Sequence, residues 1–145
     1  MDKIIKELLK NVDPTPFYRL VLKSTEDVKL LEPLFINACC DNQIETVRDL
    51  LRLIDPSIND NEGFRLACTF GHTEIVEILL SDSRVDPTSW KNSGIRSSSR
   101  FGHLEIVKLL LADPRVNPKD DDSAALYYAK KYGHKEIVEL LSSVI

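Results

Sequence analysis

The 145-residue chain is poor in the residues that most often carry chemistry or cross-links, with three cysteines, three histidines, five glycines, one methionine and one tryptophan. The cysteine count is odd, Cys39 and Cys40 are adjacent, and no Cys-x-x-Cys pair occurs. This disfavours both a disulfide framework and a zinc site, and all three are expected as reduced thiols. So few glycines leave no phosphate-cradling loop. A basic excess is missing too. The formal net charge is -4, and without surplus Lys and Arg the main source of affinity for phosphate backbones is gone, so nucleic acid is not expected as a partner. Long hydrophobic runs are absent as well: Lys6 and Glu7 split the pairs Ile4, Ile5 and Leu8, Leu9, so neither a signal-peptide core nor a membrane span is expected. What the chain has is apolar content, 43% hydrophobic against 29% charged, enough to bury one continuous core in a soluble intracellular unit.

That content recurs at a fixed period, the mark of a repeat architecture. Gly71-His72-Thr73-Glu74-Ile75-Val76 returns as Gly102-His103-Leu104-Glu105-Ile106-Val107 and as Gly133-His134-Lys135-Glu136-Ile137-Val138, at a constant offset of 31 residues. Asp55-Pro56, Asp86-Pro87 and Asn117-Pro118 keep the same offset, so the unit repeats as a whole. A degenerate copy begins at Asn42, 29 residues before Gly71, and the shortfall lies between Leu51 and Asp55. The expected organisation is one domain over 1–145: a half-repeat cap at 1–14, a degenerate repeat at 15–54, and repeats at 55–85, 86–116 and 117–145. The degenerate repeat carries an insertion of about 13 residues, in which Ser24-Thr25-Glu26-Asp27 supplies cap chemistry for a short added helix.

Within a unit the residues predict two helices. Proline after Asp86 disfavours helix there, and a first helix opening near Glu62-Gly63 or Ser93-Gly94 stops at Gly71 or Gly102, where glycine suits the left-handed stop position. The second helix carries Ile75, Val76, Leu79 and Leu80 on one apolar face, with Glu77 and Lys108 on the polar side. Helices this short must stack on neighbouring copies to make a core.

The Gly-His-x-Glu-Ile-Val-x-x-Leu-Leu segment, with the small pairs Ala67-Cys68 and Ser98-Ser99 before it, resembles the ankyrin-repeat family over roughly residues 33–145. The resemblance implies an all-α solenoid of stacked helix-turn-helix units that binds protein partners and has no catalytic role. The chain departs from the family in two ways. The family's Thr-Pro-Leu-His helix start is replaced by Glu62-Gly63-Phe64-Arg65, Ser93-Gly94-Ile95-Arg96 and Ala124-Ala125-Leu126-Tyr127, and the unit has 31 residues where the family usually has 33.

Candidate chemistry is thin. His72, His103 and His134 share one repeat position, whereas a catalytic or ligating histidine is a singular residue. The resemblance implies that each imidazole bonds the backbone of an adjacent turn. Equivalent side chains in stacked helices lie about 10 Å apart, too far for one metal ion. No Gly-x-Ser-x-Gly elbow surrounds Ser97-Ser98-Ser99; Ser98 takes the place of Ala67 and is expected to bond back to a helical carbonyl. Asp120-Asp121-Asp122 lacks the alternation of a calcium loop, and Asp122 or Ser123 is expected to cap the next helix. No cofactor or metal is expected.

Binding remains, and the resemblance places it on the turn tips and the exposed side of the first helices. At one tip position the copies read Asn59, Trp90 and Asp121, at the next Asp60, Lys91 and Asp122; structural need would equalise them. Trp90, the lone tryptophan, is either a contact residue or a ring folded over a neighbouring turn. Phe70, Phe101 and Tyr132 recur in one register and are expected to pack within the stack. Arg100 is the better contact candidate. With Lys91 and Arg96 it makes the central repeat positive beside the acidic 120–122 turn, a surface suited to a protein of mixed charge. The expected function is a protein-interaction module or adaptor, monomeric. The alternative is a structural capping segment that self-associates through the C-terminal end, where Val144 and Ile145 follow Leu140 and Leu141.

Overall fold

Short amphipathic segments interrupted by glycine every 31 residues fold as helix pairs. In the computed structural model of the chain, residues 29 and 31–145 are described, apart from the side chains of Asp120 and Asp122. The half-repeat expected at 1–14 and the cap signal at 24–27 lie outside the described residues. Within them are eight helices and no strand: α1 (Glu32–Cys40), α2 (Ile44–Leu50), α3 (Ile58–Phe70), α4 (Thr73–Leu80), α5 (Ser89–Phe101), α6 (Leu104–Ala112), α7 (Asp120–Tyr132) and α8 (Lys135–Val144). The odd-numbered helices pack on one another in sequence order, as do the even-numbered ones; a glycine turn joins the last three pairs, and Asn42, with φ of 56°, takes its place between α1 and α2.

That turn is the joint of the stack. Gly71, Gly102 and Gly133 end α3, α5 and α7 with φ of +82°, +81° and +78°. The amides of Gly71 and His72 both close on the Ala67 carbonyl, at 3.1 and 3.0 Å, which satisfies an end carbonyl that would otherwise be orphaned. The next residue reaches backward. His72 Nε2–H donates to the Cys40 carbonyl (2.8 Å), His103 to Thr69 (2.9 Å) and His134 to Arg100 (2.9 Å); a carbonyl can only accept, so Nε2 carries the proton in each. Each imidazole therefore ties its unit to the end of the preceding first helix, as the resemblance implied. The rings of His103 and His134 also lie on the preceding glycine. A Cβ at Gly71 would come within 2.7 Å of the His103 ring, and one at Gly102 within 2.7 Å of His134.

The core is built in columns. Ala38, Ala67, Ser98 and Ala129 are buried one unit apart and let the first helices approach closely. Ser98 Oγ donates to the Gly94 carbonyl at 2.8 Å, with the Cys68 carbonyl at 3.2 Å, so its hydroxyl is satisfied there. Beside this column large and small residues interlock between units. A Cβ at Gly63 would meet Phe35 at 2.9 Å, and one at Gly94 would meet Phe64 at 3.0 Å. One unit on, both sizes change together: Ile95 takes the phenylalanine position and Ala125 the glycine position, both buried. Behind them Ile75, Val76 and Leu79, then Ile106, Val107 and Leu110, then Ile137 and Leu141, line the buried face of α4, α6 and α8.

The loops between units hold a second link that the sequence reading missed. Asp82-Ser83-Arg84 and Asp113-Pro114-Arg115 recur at the 31-residue offset. Arg84 Nη2 and Nε bind the Asp82 carboxylate at 2.6 and 2.9 Å, while its guanidinium also donates to the Ile54 and Leu51 carbonyls of the preceding unit, both at 2.9 Å. Arg115 repeats this with Asp113 and the Val85 carbonyl. The bond from Arg84 holds the Asp82 carboxyl below the usual carboxylate range, and Arg115 does the same for Asp113. After the clasp, Asp55 and Asp86 accept from the amide and hydroxyl of Ser57 and Thr88 at 2.7–3.0 Å, shaping the Asp-Pro bend as an Asx turn.

Two predictions follow from these joints. Gly133→Ala meets only the left-handed strain, since nothing lies within 4 Å of its Cβ, and should cost about 1 kcal/mol. Gly71→Ala must also displace the His103 ring and should cost about 2–4 kcal/mol; equal losses for the two in urea unfolding would mean the imidazole is not seated there. Because the Asp82 carboxyl is stabilised in its charged form when folded, it contributes stability above the ordinary carboxylate range near pH ~4 that disappears on acidification through its lowered folded value. Asp82→Asn should cost about 1 kcal/mol at neutral pH and flatten the stability profile below pH ~4 relative to wild type, measured as Tm against pH.

Candidate functional site

The variable tips are wound against the usual hand. Asn59, Asp60 and Asn61 have φ of 50°, 56° and 59°, and Trp90, Lys91 and Asn92 have 53°, 55° and 56°. The amides of Asn61 and Asn92 donate back to the Ser57 and Thr88 carbonyls at 3.0 and 2.8 Å. Each tip is thus a single left-handed turn leading directly into the right-handed helix from Glu62 or Ser93. Asn61 secures it to the next unit, its Oδ1 accepting from the Asp86 amide at 2.8 Å. Asn and Asp visit this region with little strain, but Trp90 and Lys91 do so at roughly 1–2 kcal/mol each.

Trp90 combines both readings of its ring. Its Nε1–H donates to Asp60 Oδ2 at 3.3 Å, and the Arg65 guanidinium lies 4.5 Å from the ring centroid. Arg65 is itself held by the Asp60 and Asn59 carbonyls, at 3.0 and 3.3 Å. The indole is therefore fixed over the preceding tip, yet 61% of Trp90 stays exposed. Asn59 and Asp60 are exposed at the same tip, Asn59 donating to Glu62 at 3.0 Å.

Arg96 is placed differently from a free contact residue. Half-buried, it donates to Asp121 Oδ2 at 2.5 Å and to the Trp90 carbonyl at 2.9 Å, while Lys91 Nζ lies 3.8 Å from the other Asp121 oxygen. The opposite charges expected to meet a partner of mixed charge here largely meet each other across adjacent tips. Asp122 contributes its backbone to the third tip, beside left-handed Asp121 and Ser123.

Arg100 projects from the end of α5 into a different setting. Its guanidinium carbon lies 5.4 Å from the Phe101 ring, 5.4 Å from Tyr132 and 5.9 Å from Tyr128. Lys131, one unit on, lies 5.8 Å from both Tyr127 and Tyr132. The recurrent aromatics expected to pack within the stack do not: Phe70, Phe101 and Tyr132 are 52%, 50% and 45% exposed. Their column sits at the last helical residue before the left-handed glycine and points away from the core. Phe70 and Phe101 lie beside the imidazoles of His72 and His103, with ring centroids 6.2 and 6.3 Å apart and interplanar angles of 25° and 31°. Repeat register alone could not tell a recurrent core position from a recurrent surface one. An open groove of about 400 Å³ is lined by Arg96, Ser97, Arg100, Phe101 and Tyr128, with Thr69 and Ser93.

Arg65, Tyr127 and Tyr128 were not among the expected contact residues. Their signal was available: the columns Arg65, Arg96, Tyr127 and Leu66, Ser97, Tyr128 vary from unit to unit as much as the tips do. Among the described residues no group of three His, Cys, Asp or Glu side chains is placed to hold a metal ion, and no helix is long and apolar enough to cross a membrane.

This helix-pair stack with backward-reaching histidines defines a solenoid of the ankyrin type. The ankyrin-repeat family model, with three copies, matches residues 64–144, more than half of the chain, and the chain belongs to that family. A search of curated proteins finds no match. Ankyrin repeats are in general protein–protein interaction modules and typically not enzymes.

The tip geometry yields a direct test. Lys91→Gly removes roughly 1–2 kcal/mol of left-handed strain and gives back roughly 0.4–1 kcal/mol through the freer unfolded chain. The variant should be more stable by about 0.5 kcal/mol in urea unfolding; a loss of stability would mean that the tip is not strained.

Proposed function

We propose that this chain is an adaptor that holds a protein partner through its turn tips and the exposed surface of α3, α5 and α7. The observation that carries this reading is Trp90. A large aromatic held in a costly left-handed conformation, braced from below by Arg65 and Asp60 yet mostly exposed, adds nothing to the core. Strain retained without a packing return is characteristic of binding surfaces, and exposed, preorganised tryptophan is a frequent source of binding energy. Asn59, Asp60 and Lys91 flank it, Arg96 and Asp121 set the spacing of adjacent tips, and Asp122 occupies the third tip. Arg100 extends the surface along the helix ends. Cys39 and Cys68 are free and buried, and burial pushes the Cys39 thiol up to about 12; reduced thiols of low reactivity fit an intracellular setting.

The test is affinity capture with the full chain as bait. Trp90→Ala and Arg100→Glu should each remove a partner that wild type retains, weakening it by about 2 kcal/mol or more, with unchanged helicity and a Tm within a few degrees. Capture that survives both changes, or losses that track unfolding, would sink the proposal.

A further inference from the structure

Six of the described cations are matched by carboxylates. Arg48, Arg84, Lys91, Arg96, Lys108 and Arg115 each lie within 4.0 Å of a carboxylate. Arg100 and Lys131 have no such partner among the described residues and instead lie over aromatic rings. What distinguishes these two is their setting: in a chain of net charge -4 they stand one unit apart on the same helix-end surface, each over more than one aromatic ring. Around them Phe101, Tyr127 and Tyr132 are about half exposed, and Tyr128 lines the groove beside Arg100. Aromatic faces hold the cations in position and leave their outward N–H groups for a ligand.

From this shelf of Arg100, Lys131, Phe101, Tyr127, Tyr128 and Tyr132 we infer the chemistry of the partner, an inference that rests on the adaptor reading: it is an acidic protein segment in which carboxylates alternate with aromatic or other apolar side chains. Its carboxylates pair with Arg100 and Lys131, and an apolar side chain enters the groove between Arg96 and Tyr128. Charge complementarity selects the sign. A nucleic acid fits less well. Two cations make no track along a phosphate backbone, and the acidic Asp121 lies at the groove margin next to Arg96.

Fluorescence anisotropy of the full chain with three labelled probes separates the possibilities: a random glutamate–tyrosine copolymer, poly-glutamate and oligothymidylate. The copolymer should bind more tightly than poly-glutamate and oligothymidylate, and added salt should weaken it. The double variant Arg100→Glu/Lys131→Glu should bind it about tenfold less tightly or worse, with its circular dichroism unchanged; Lys131→Glu alone, at a fully surface position, serves if the double variant unfolds. No copolymer binding, binding indifferent to charge reversal, equal affinity for poly-glutamate, or equal affinity for oligothymidylate would each overturn the inference. If the copolymer fails while Trp90→Ala still abolishes capture of a partner, the adaptor reading stands and only the acidic, aromatic-bearing class falls.

Discussion

One contact recurs at every joint between the described units: an imidazole that donates to a carbonyl at the end of the previous first helix, and at the two later joints its ring also covers the glycine that stopped that helix. The glycine has two reasons to be there. Its left-handed φ lets the chain leave the helix, and its missing side chain leaves room for the next unit's ring. The bond is long-range in sequence, spanning 32 to 34 residues, yet strictly between neighbours in space. Stability in such a stack accumulates joint by joint, and a helix of seven to nine residues, too short to persist alone, persists because both neighbours hold it. The arginine clasp of Arg84 and Arg115 is the loop-side counterpart, again reaching one unit back.

The stack was legible because its constraints repeat. Gly-His at a fixed offset, the paired β-branched and leucine positions of the second helices, and the small residues Ala67 and Ser98 are forced by the same geometry in each unit, so each copy corroborates the others. The left-handed tips were not legible. Asn59-Asp60-Asn61 is compatible with such a turn, but Trp90-Lys91-Asn92 is not what local preference would choose, and the surrounding contacts with Asp60, Arg65 and Arg96 hold it there. The surface aromatics failed for a related reason. Periodicity reports that Phe70, Phe101 and Tyr132 are equivalent, not which way they face. Trp90 was left between two readings by its sequence, and its geometry satisfies both, since an indole can be braced on one edge and open on the other.

Stacking joints and variable tips occupy different places within each unit. The glycine, histidine and second-helix apolar positions that recur between copies hold the stack, while the tips vary where change costs local strain and not packing; core positions that vary, such as Phe64 and Ile95, change together with their neighbours. Arg96 lies on the border. It varies from Tyr127 one unit on, yet its bonds to Asp121 and the Trp90 carbonyl make it a spacer between tips, so variability alone does not mark a contact residue.

The exchange of sizes along the first helices bears on how such an array could be rearranged. Phe35 is matched by Gly63, Phe64 by Gly94, and the smaller Ile95 by Ala125. A unit bearing alanine at that place, moved to follow Phe64, would press a methyl to 3.0 Å from the ring, as the geometry at Gly94 shows. Copies that look interchangeable by motif are therefore keyed to their neighbours, and their order along the chain is written in the fit of one side chain against the next.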